Sequence, residues 1–179
     1  MAEGEAAVFV ADVMLKKLAR WLRIIGVPTV FAGDFTEDDD EIIKLAMREK
    51  GVLLTRDKRL SEKARYYVPV VLLSGVSLEK QLNQLIKERR IGLGGFPSRT
   101  LCPRCGAALK VVGREKVKGK VFARVYKAHE KFWLCANRKC GKVYWAGSHW
   151  EKIGRTMAKV AKGVKKAAGR KKQFKAARA

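Results

Sequence analysis

The stretch "AAVFVADVMLKKLARWLRIIG", residues 6–26, decides how the first half of the chain folds. Its first seven residues form a continuous apolar run with β-branched members that closes on an acid, Asp12, the pattern of a strand covered on both faces. Beyond it Leu15, Leu18, Leu22 and Ile25 recur at spacings of three and four, while Lys16, Arg20 and Arg23 fall on another face of the same periodicity. The reading is a strand ending in an aspartate, then an amphipathic helix stopped at Gly26.

The same alternation continues outward. "PTVFAG" (28–33) reads as a second strand and "DDDEIIKLAMREKG" (38–51) as a second helix, with carboxylates in its first turn where the helix dipole favours them. "VLLTRD" (52–57) is a third buried strand ending in an aspartate, "KRLSEKARYY" (58–67) a short helix, and "VPVVLL" (68–73) a fourth strand. "SLEKQLNQLIKERR" (77–90) is then a helix with Leu78, Leu82, Leu85 and Ile86 facing inward. Strands separated by helices predict an α/β fold, a parallel sheet flanked by helices.

In such a sheet, ligands sit beyond the carboxyl ends of the strands. Asp12 and Asp57 fall at two such ends, and Asp38, Asp39 and Asp40 begin the helix that follows the second strand, on the same edge. Carboxylates gathered in one place repel one another unless a cation holds them, and an oxygen-rich site with open positions suits Mg²⁺ or Mn²⁺. Taken singly, each acid also has a plainer reading: Asp12 as a helix cap, Asp57 as the first residue of a turn, residues 38–40 as a solvated helix start. The cationic first helix would face an anionic substrate such as a phosphodiester backbone. Arg20 and Arg56 either bind phosphate or neutralise neighbouring acids.

A Gly/Pro-rich connector, "GLGGFPS" (92–98), marks a domain boundary. It separates an α/β domain, residues 1–91, from a small module at 99–152, with a Lys/Ala-rich tail at 153–179. All four cysteines follow the connector. Cys102 and Cys105 form C-x2-C in "CPRCG", and Cys135 and Cys140 form C-x4-C in "CANRKCG". Two thiolates from each turn can meet on one tetrahedral Zn²⁺, so the module reads as a β-rich zinc ribbon with structural zinc. The other readings are disulfides or unligated thiols, and a reducing compartment disfavours the former. Four thiolates complete the shell, which leaves His129 and His149 as non-ligands. Trp133, beside a ligand turn, reads as core, while Trp145 and Trp150 read equally as core or as platforms for unpaired bases.

The formal charge of +23 is sorted along the chain. Residues 1–95 carry a balance of +2, residues 96–150 one of +11, and residues 151–179 one of +10. A near-neutral first half joined to a strongly basic remainder points to a polyanion partner. The expected phosphate contacts are Lys16, Arg20, Arg23 and Arg56 on the first domain, Lys116, Lys118 and Lys120 on the ribbon, and Lys165, Lys166, Arg170, Lys171 and Lys172 on the tail. In the tail Ile153, Met157, Val160 and Val164 lie at helical spacing, and beyond Ala168 only Phe174 offers an anchor. No run approaches the ~20 apolar residues of a membrane span, and the first residues lack the pattern of a secretory signal. The expectation is a soluble, cytoplasmic protein without a membrane partner.

Taken in order, "DVMLKKLARWLRIIG", "DDDEIIKLA", "LLTRD", "CPRC", "FWLC" and "GKVYWAGSHW" resemble the Mut-seven C-terminal RNase family, a PIN-like nuclease domain fused to a zinc ribbon. The resemblance spans residues 8–152. It implies a PIN-like α/β fold and a metal-dependent endoribonuclease activity with Mg²⁺ or Mn²⁺, and it places Asp12, Asp39 and Asp57 on the family's acidic motifs. Asp39 matches as the residue three before Ile42, with Asp40 its nearest rival. Where many PIN-like nucleases carry a further acid after the "TRD" aspartate, this chain has Arg59, and Glu62 is the only nearby substitute. The expected function is therefore RNA binding, with rRNA in the ribosome as the partner and no preference for DNA. Active endoribonucleolytic cleavage is the alternative.

Overall fold

A computed structural model describes residues 7–88, 90–92, 98–147 and 150–163. The predicted alternation is present. β1 (Phe9–Ala11), β2 (Thr29–Phe31), β3 (Val52–Thr55) and β4 (Val70–Leu72) form one sheet, in the order β2-β1-β3-β4 with every neighbouring pair parallel. α1 (Lys16–Ile24), α2 (Asp39–Arg48) and α3 (Lys58–Ala64) make the connections. The strands are shorter than the apolar runs suggest. β1 stops at Ala11 because the carbonyl of Asp12 accepts the N–H of Leu15, winding residues 13–15 into a 3₁₀ turn ahead of α1. Leu15 is thus buried from that turn and not from the helix.

Register explains the core. Val10 stands beside Val30 and Leu53, and with Leu53 it is covered by Ile42, Ile43, Leu45 and Ala46 of α2 and by Leu60 and Ala64 of α3. Each fully buried Ile or Leu of this set contributes roughly 1.5–3 kcal/mol. α1 buries Leu18, Ala19 and Leu22 and packs on β1 and β2.

The cysteine-bearing module contains β5 (Leu109–Gly113), β6 (Lys131–Cys135) and β7 (Val143–Trp145), an antiparallel sheet in that order. The segment between β5 and β6 adds no strand to this β-rich module. It forms a 3₁₀ turn, Arg114–Val117, and a short helix, α5 (Ala123–Ala128). This module and the parallel sheet belong to one compact unit. The joint lies at the end of α1, where Leu101 N–H donates to the Arg23 carbonyl (2.8 Å) and the Thr100 hydroxyl to the Ile24 carbonyl (2.9 Å). Gly26, at φ +82°, lets the chain pass: a Cβ there would lie 2.7 Å from the Arg99 carbonyl oxygen.

Arg23 corrects an expectation. It is not a phosphate contact, because it is only 3% exposed and its Nε and one terminal nitrogen are spent on carbonyls inside the protein. Nε donates to the Thr29 carbonyl (2.8 Å), and one terminal nitrogen donates to the carbonyls of Arg104 (2.7 Å) and Pro103 (3.3 Å). Burial pulls the guanidinium below its ordinary pKa, with Asp34 and the nearby thiols opposing, and an arginine stays charged throughout.

A second unit holds α4 (Leu78–Lys87) and α6, the described helix at 150–163. Ser77 caps α4 by accepting the Lys80 N–H. Leu78, Leu82 and Leu85 are buried as expected, but Gln81 takes the inward position given to Ile86, with its amide donating to the Gly75 carbonyl. Ile86 is half-buried. In α6, Val160 is buried and Ile153 and Met157 are half-buried, which is the expected stripe. Gly163 faces Asn83 so closely that a Cβ would lie 2.8 Å from its amide nitrogen. Val164 and the tail beyond it, His149 and most of the connector 92–98 lie outside the described residues. Among the described residues no helix is long and apolar enough to cross a membrane.

Arg23→Ala leaves three carbonyls without this donor; the buried Thr29 carbonyl costs about 1–3 kcal/mol and the part-buried Pro103 and Arg104 carbonyls less, since water reaches them, so denaturant unfolding should show a loss of roughly 2–4 kcal/mol. Arg23→Lys, which keeps the charge without the planar fork, should recover less than half of that. The exposed Arg20→Ala should stay within about 0.5 kcal/mol of the parent.

Candidate functional site

Strand order fixes where the acids meet. The chain steps from β1 to β2 on one side and to β3 on the other, so the crevice beyond the carboxyl ends of β1 and β3 is the topological switch point of the sheet. Asp12 follows β1 and Asp57 follows β3. Asp12 is 3% exposed and its Oδ2 accepts the Thr55 hydroxyl at 2.6 Å. The same hydroxyl oxygen accepts the Asp57 N–H at 2.9 Å. Thr55, which sequence reasoning passed over, therefore sets the spacing of the two aspartates. Its signal was present as a hydroxyl residue two before an acid at a strand end.

The three acids that open α2 divide their tasks. Asp38 is the cap, its Oδ1 accepting the Glu41 N–H at 3.0 Å, and Asp40 pairs with Lys63 at 2.6 Å. The Asp39 carboxylate makes neither contact. Desolvation first, then the fields of Asp57 and Asp12, hold its pKa above the usual carboxylate value. Those fields put Asp39 within electrostatic reach of Asp57 and Asp12, with Lys63 opposing them. Asp57 is also a helix cap, with Oδ1 accepting from the N–H groups of Arg59 (2.7 Å) and Leu60 (3.1 Å). Among the described residues, only the four thiols bring three or more ligand atoms all within 4.8 Å of one another, so the acids form a wider set.

Around this edge Lys16 and Arg20 are exposed and Arg56 is half-buried. Lys16 lies over the Phe31 ring, 5.7 Å from its centre. Lys63 is a cation at the acidic edge that the sequence did not single out. Glu62 is exposed and acts electrostatically on Arg65. Met14 and Phe35, which follow β1 and β2, are exposed apolar side chains on the same edge.

The cysteines converge as their spacing implies. β6 ends at Cys135 opposite Leu109, and the Ala136 N–H donates to the Ala108 carbonyl, which brings the second turn onto the first. Sγ of Cys102 lies 3.8 Å from that of Cys140, and Sγ of Cys105 lies 3.5 Å from that of Cys135. Thiolates bound at ~2.3 Å to a tetrahedral Zn²⁺ stand ~3.8 Å apart along each edge, so the separations fit a metal such as zinc. They are far beyond a disulfide bond, and all four cysteines are free.

Tyr144 Oη sits 3.2 Å from Cys102 Sγ. Burial raises the Cys102 thiol, but the Tyr144 hydroxyl and the backbone N–H groups of Cys105 and Arg104 outweigh it and bring it down to about 7. Burial pushes Cys135 far above its ordinary value. Burial also raises the Cys105 thiol, so thiols pushed in opposite directions meet in one cluster, and a cation among them favours the ionised form of each. His129 makes an edge contact with Phe132 and does not belong to the cluster.

Lys116, Lys118 and Lys120 are exposed on the segment between β5 and β6. Trp133, Trp145 and Trp150 are all half-buried, and Lys131 lies over the Trp133 ring at 5.8 Å. Lys165, Lys166, Arg170, Lys171 and Lys172 lie outside the described residues.

Tyr144→Phe should keep the metal stoichiometry of the wild-type protein but weaken retention about tenfold, because an outer hydrogen bond to a ligand is worth that much. Cys105→Ser should abolish stoichiometric binding. Competition against a chromophoric chelator measures both; a Tyr144→Phe protein that holds metal as tightly as wild type would remove Tyr144 from the site.

Residues 7–157 match the model of the Mut7-C RNAse domain. No curated protein and no solved structure matches the chain. The match covers both the acidic edge and the cysteine cluster, and RNA is the substrate class that an RNase domain implies. By this match, the chain belongs to the Mut7-C RNase domain family.

Proposed function

We propose that this protein is a metal-dependent endoribonuclease that hydrolyses RNA phosphodiesters at the switch point of its parallel sheet, with structural zinc on the four cysteines. The observation that carries the reading is Asp39, a carboxylate held above its usual pKa by desolvation and by the fields of Asp57 and Asp12, which the opposing field of Lys63 does not cancel. A fold that keeps three acids in one another's field gives up stability there, and a divalent cation is what such an arrangement accepts. Asp12, Asp39 and Asp57 would hold Mg²⁺ or Mn²⁺. The wide spacing suits a cation that keeps several waters and takes only one or two carboxylates directly. When bound, the ion supplies an activated water and charge for the leaving oxygen.

The chain's own residues do the rest. Thr55 fixes Asp12 and Asp57 relative to each other. Lys16, Arg20 and Arg56 neutralise the phosphates on either side of the scissile one, and Lys63 keeps Asp40 out of the set. Hydrolysis forms a bond from water oxygen to phosphorus, breaks the P–O3′ bond and leaves a 5′-phosphate and a 3′-hydroxyl. Arg59, exposed in the first turn of α3 where a further acid is found in many PIN-like nucleases, thins the acidic set and favours slow turnover.

One feature favours a second reading, in which the protein is an RNA-binding component held on rRNA in the ribosome. The balance of +10 over residues 151–179 exceeds what a short single substrate needs, and each neutralised phosphate releases counterions.

Asp12→Asn and Asp57→Asn should lower Mg²⁺- or Mn²⁺-dependent cleavage by ~10²-fold or more while RNA binding is kept. Asp39→Asn should do the same and also raise the melting temperature without Mg²⁺ or Mn²⁺ at pH 7. The sign follows from the raised pKa: a folded state that holds the proton more tightly is favoured below the ordinary carboxylate range and loses that advantage as pH rises through the raised value. At pH 7 the ionised Asp39 therefore counts against the fold. Wild-type protein that cuts no RNA under any metal yet sediments with ribosomal particles would favour the second reading.

A further inference from the structure

Between β5 and β6 the chain leaves the ribbon for residues 114–130, and its backbone there is closely pinned. Residues 117–120 form a type II turn: Lys118 has φ −53° and ψ 130°, Gly119 has φ +74°, and the Lys120 N–H donates to the Val117 carbonyl at 2.9 Å. Val117 is fully buried and anchors the turn. The Phe122 carbonyl then accepts the N–H groups of Val125 (2.9 Å) and Tyr126 (3.0 Å), which starts α5. At the far end His129 meets Phe132 edge-on.

The two acids of the segment are consumed within it. Glu115 accepts the Tyr126 hydroxyl at 3.0 Å, and Glu130 pairs with Arg114 at 3.7 Å. Lys116, Lys118, Lys120, Arg124 and Lys127 all remain exposed. In the middle of them stands Phe122, 74% exposed on a backbone that is fixed on both sides. A lone surface phenylalanine calls for no explanation. A phenylalanine held outward among five cations, with the local acids already paired, has the composition that grips a nucleic-acid single strand, where cations track phosphates and a ring takes a base.

We propose that residues 116–127 form an RNA-binding element distinct from the acidic edge, in which an unpaired base stacks on Phe122 while Lys118, Lys120 and Arg124 hold the flanking phosphates. This rests on RNA as the substrate class and adds that the RNA is engaged at an unpaired segment. A duplex hides the faces of its bases and can offer this element only its phosphates. Charge argues against a protein partner of ordinary surface, and an acidic protein is left as an outcome of the test.

The measurement is fluorescence anisotropy with the full chain, zinc present and no Mg²⁺ or Mn²⁺, using a labelled unstructured RNA and a duplex of the same sequence across a salt series. Phe122→Ala should bind the single strand about tenfold more weakly and the duplex within twofold of wild type, with the salt slope unchanged. Phe122→Trp should restore single-strand affinity and Phe122→Leu should not, because stacking needs a π-face and not merely an apolar one. Lys118→Ala with Lys120→Ala should instead flatten the slope by about 1.4, ~0.7 for each phosphate that is no longer neutralised. Phe122 is exposed, and retained metal stoichiometry confirms that each variant is folded.

Single-strand affinity unchanged in both Phe122→Ala and Phe122→Leu would overturn the proposal and pass the surface to an acidic protein. Equal losses on single strand and duplex would overturn it as well. Cleavage by the wild-type protein, assayed separately with Mg²⁺, keeps the two readings apart. Cutting with no Phe122 effect removes only the stacking element, and a Phe122 effect without cutting leaves it standing.

Discussion

One guanidinium on three carbonyl oxygens joins the two sheets of this protein. Arg23 leaves the last turn of α1, touches β2 through the Thr29 carbonyl and reaches the Cys102–Cys105 turn through the carbonyls of Pro103 and Arg104. Only a planar, permanently charged fork can donate in these directions at once, which is why lysine is a poor substitute. The approach also depends on what is missing: a Cβ on Gly106 would lie 3.2 Å from both Arg23 Nε and the Thr29 oxygen. Because two of the three acceptors sit between Cys102 and Cys105 of the thiol cluster, the shape of that turn and the position of α1 constrain each other. α1 in turn starts only a 3₁₀ turn after Asp12 has been placed.

The acidic edge follows a different logic. Asp12 and Asp57 are held relative to each other by the hydrogen bonds of the Thr55 hydroxyl. Lys63 bonds to Asp40 and only partly offsets the fields of Asp57 and Asp12 on Asp39. The excess of basic residues instead falls in the sequence of the cysteine-bearing module and of the chain that follows it.

Much of this was legible in the sequence, for reasons that can be named. Periods of two kinds, bounded by Gly26 and Gly51, placed every strand and helix of the α/β part, and C-x2-C with C-x4-C placed the cysteine cluster. Arg23 was misread because helical periodicity shows which face a residue lies on but not that a distant turn will cover that face. Gln81 displaced Ile86 for a related reason: a buried amide is acceptable once the Gly75 carbonyl accepts its hydrogen, and no composition rule announces that partner. Thr55 was overlooked because its role lies in two hydrogen bonds to acids that are 43 and two residues away. The 3₁₀ turn and helix between β5 and β6 were hidden by β-branched residues, Val117, Val121 and Val125, whose strand propensity the Val117 turn and the Phe122 cap override.

If Arg23 couples the metal-holding turn to the parallel sheet, loss of the metal must be felt beyond the ribbon. Amide hydrogen exchange on the full chain, with the metal bound and after chelation, tests this most directly. Stripping the metal should raise exchange in the last turn of α1 and in β2 of the wild-type protein, and should change those segments far less in Arg23→Ala, where the link is already cut. Unchanged protection of α1 and β2 on metal removal, alongside collapse of protection in β5 to β7, would contradict the coupling and make the ribbon an independent module.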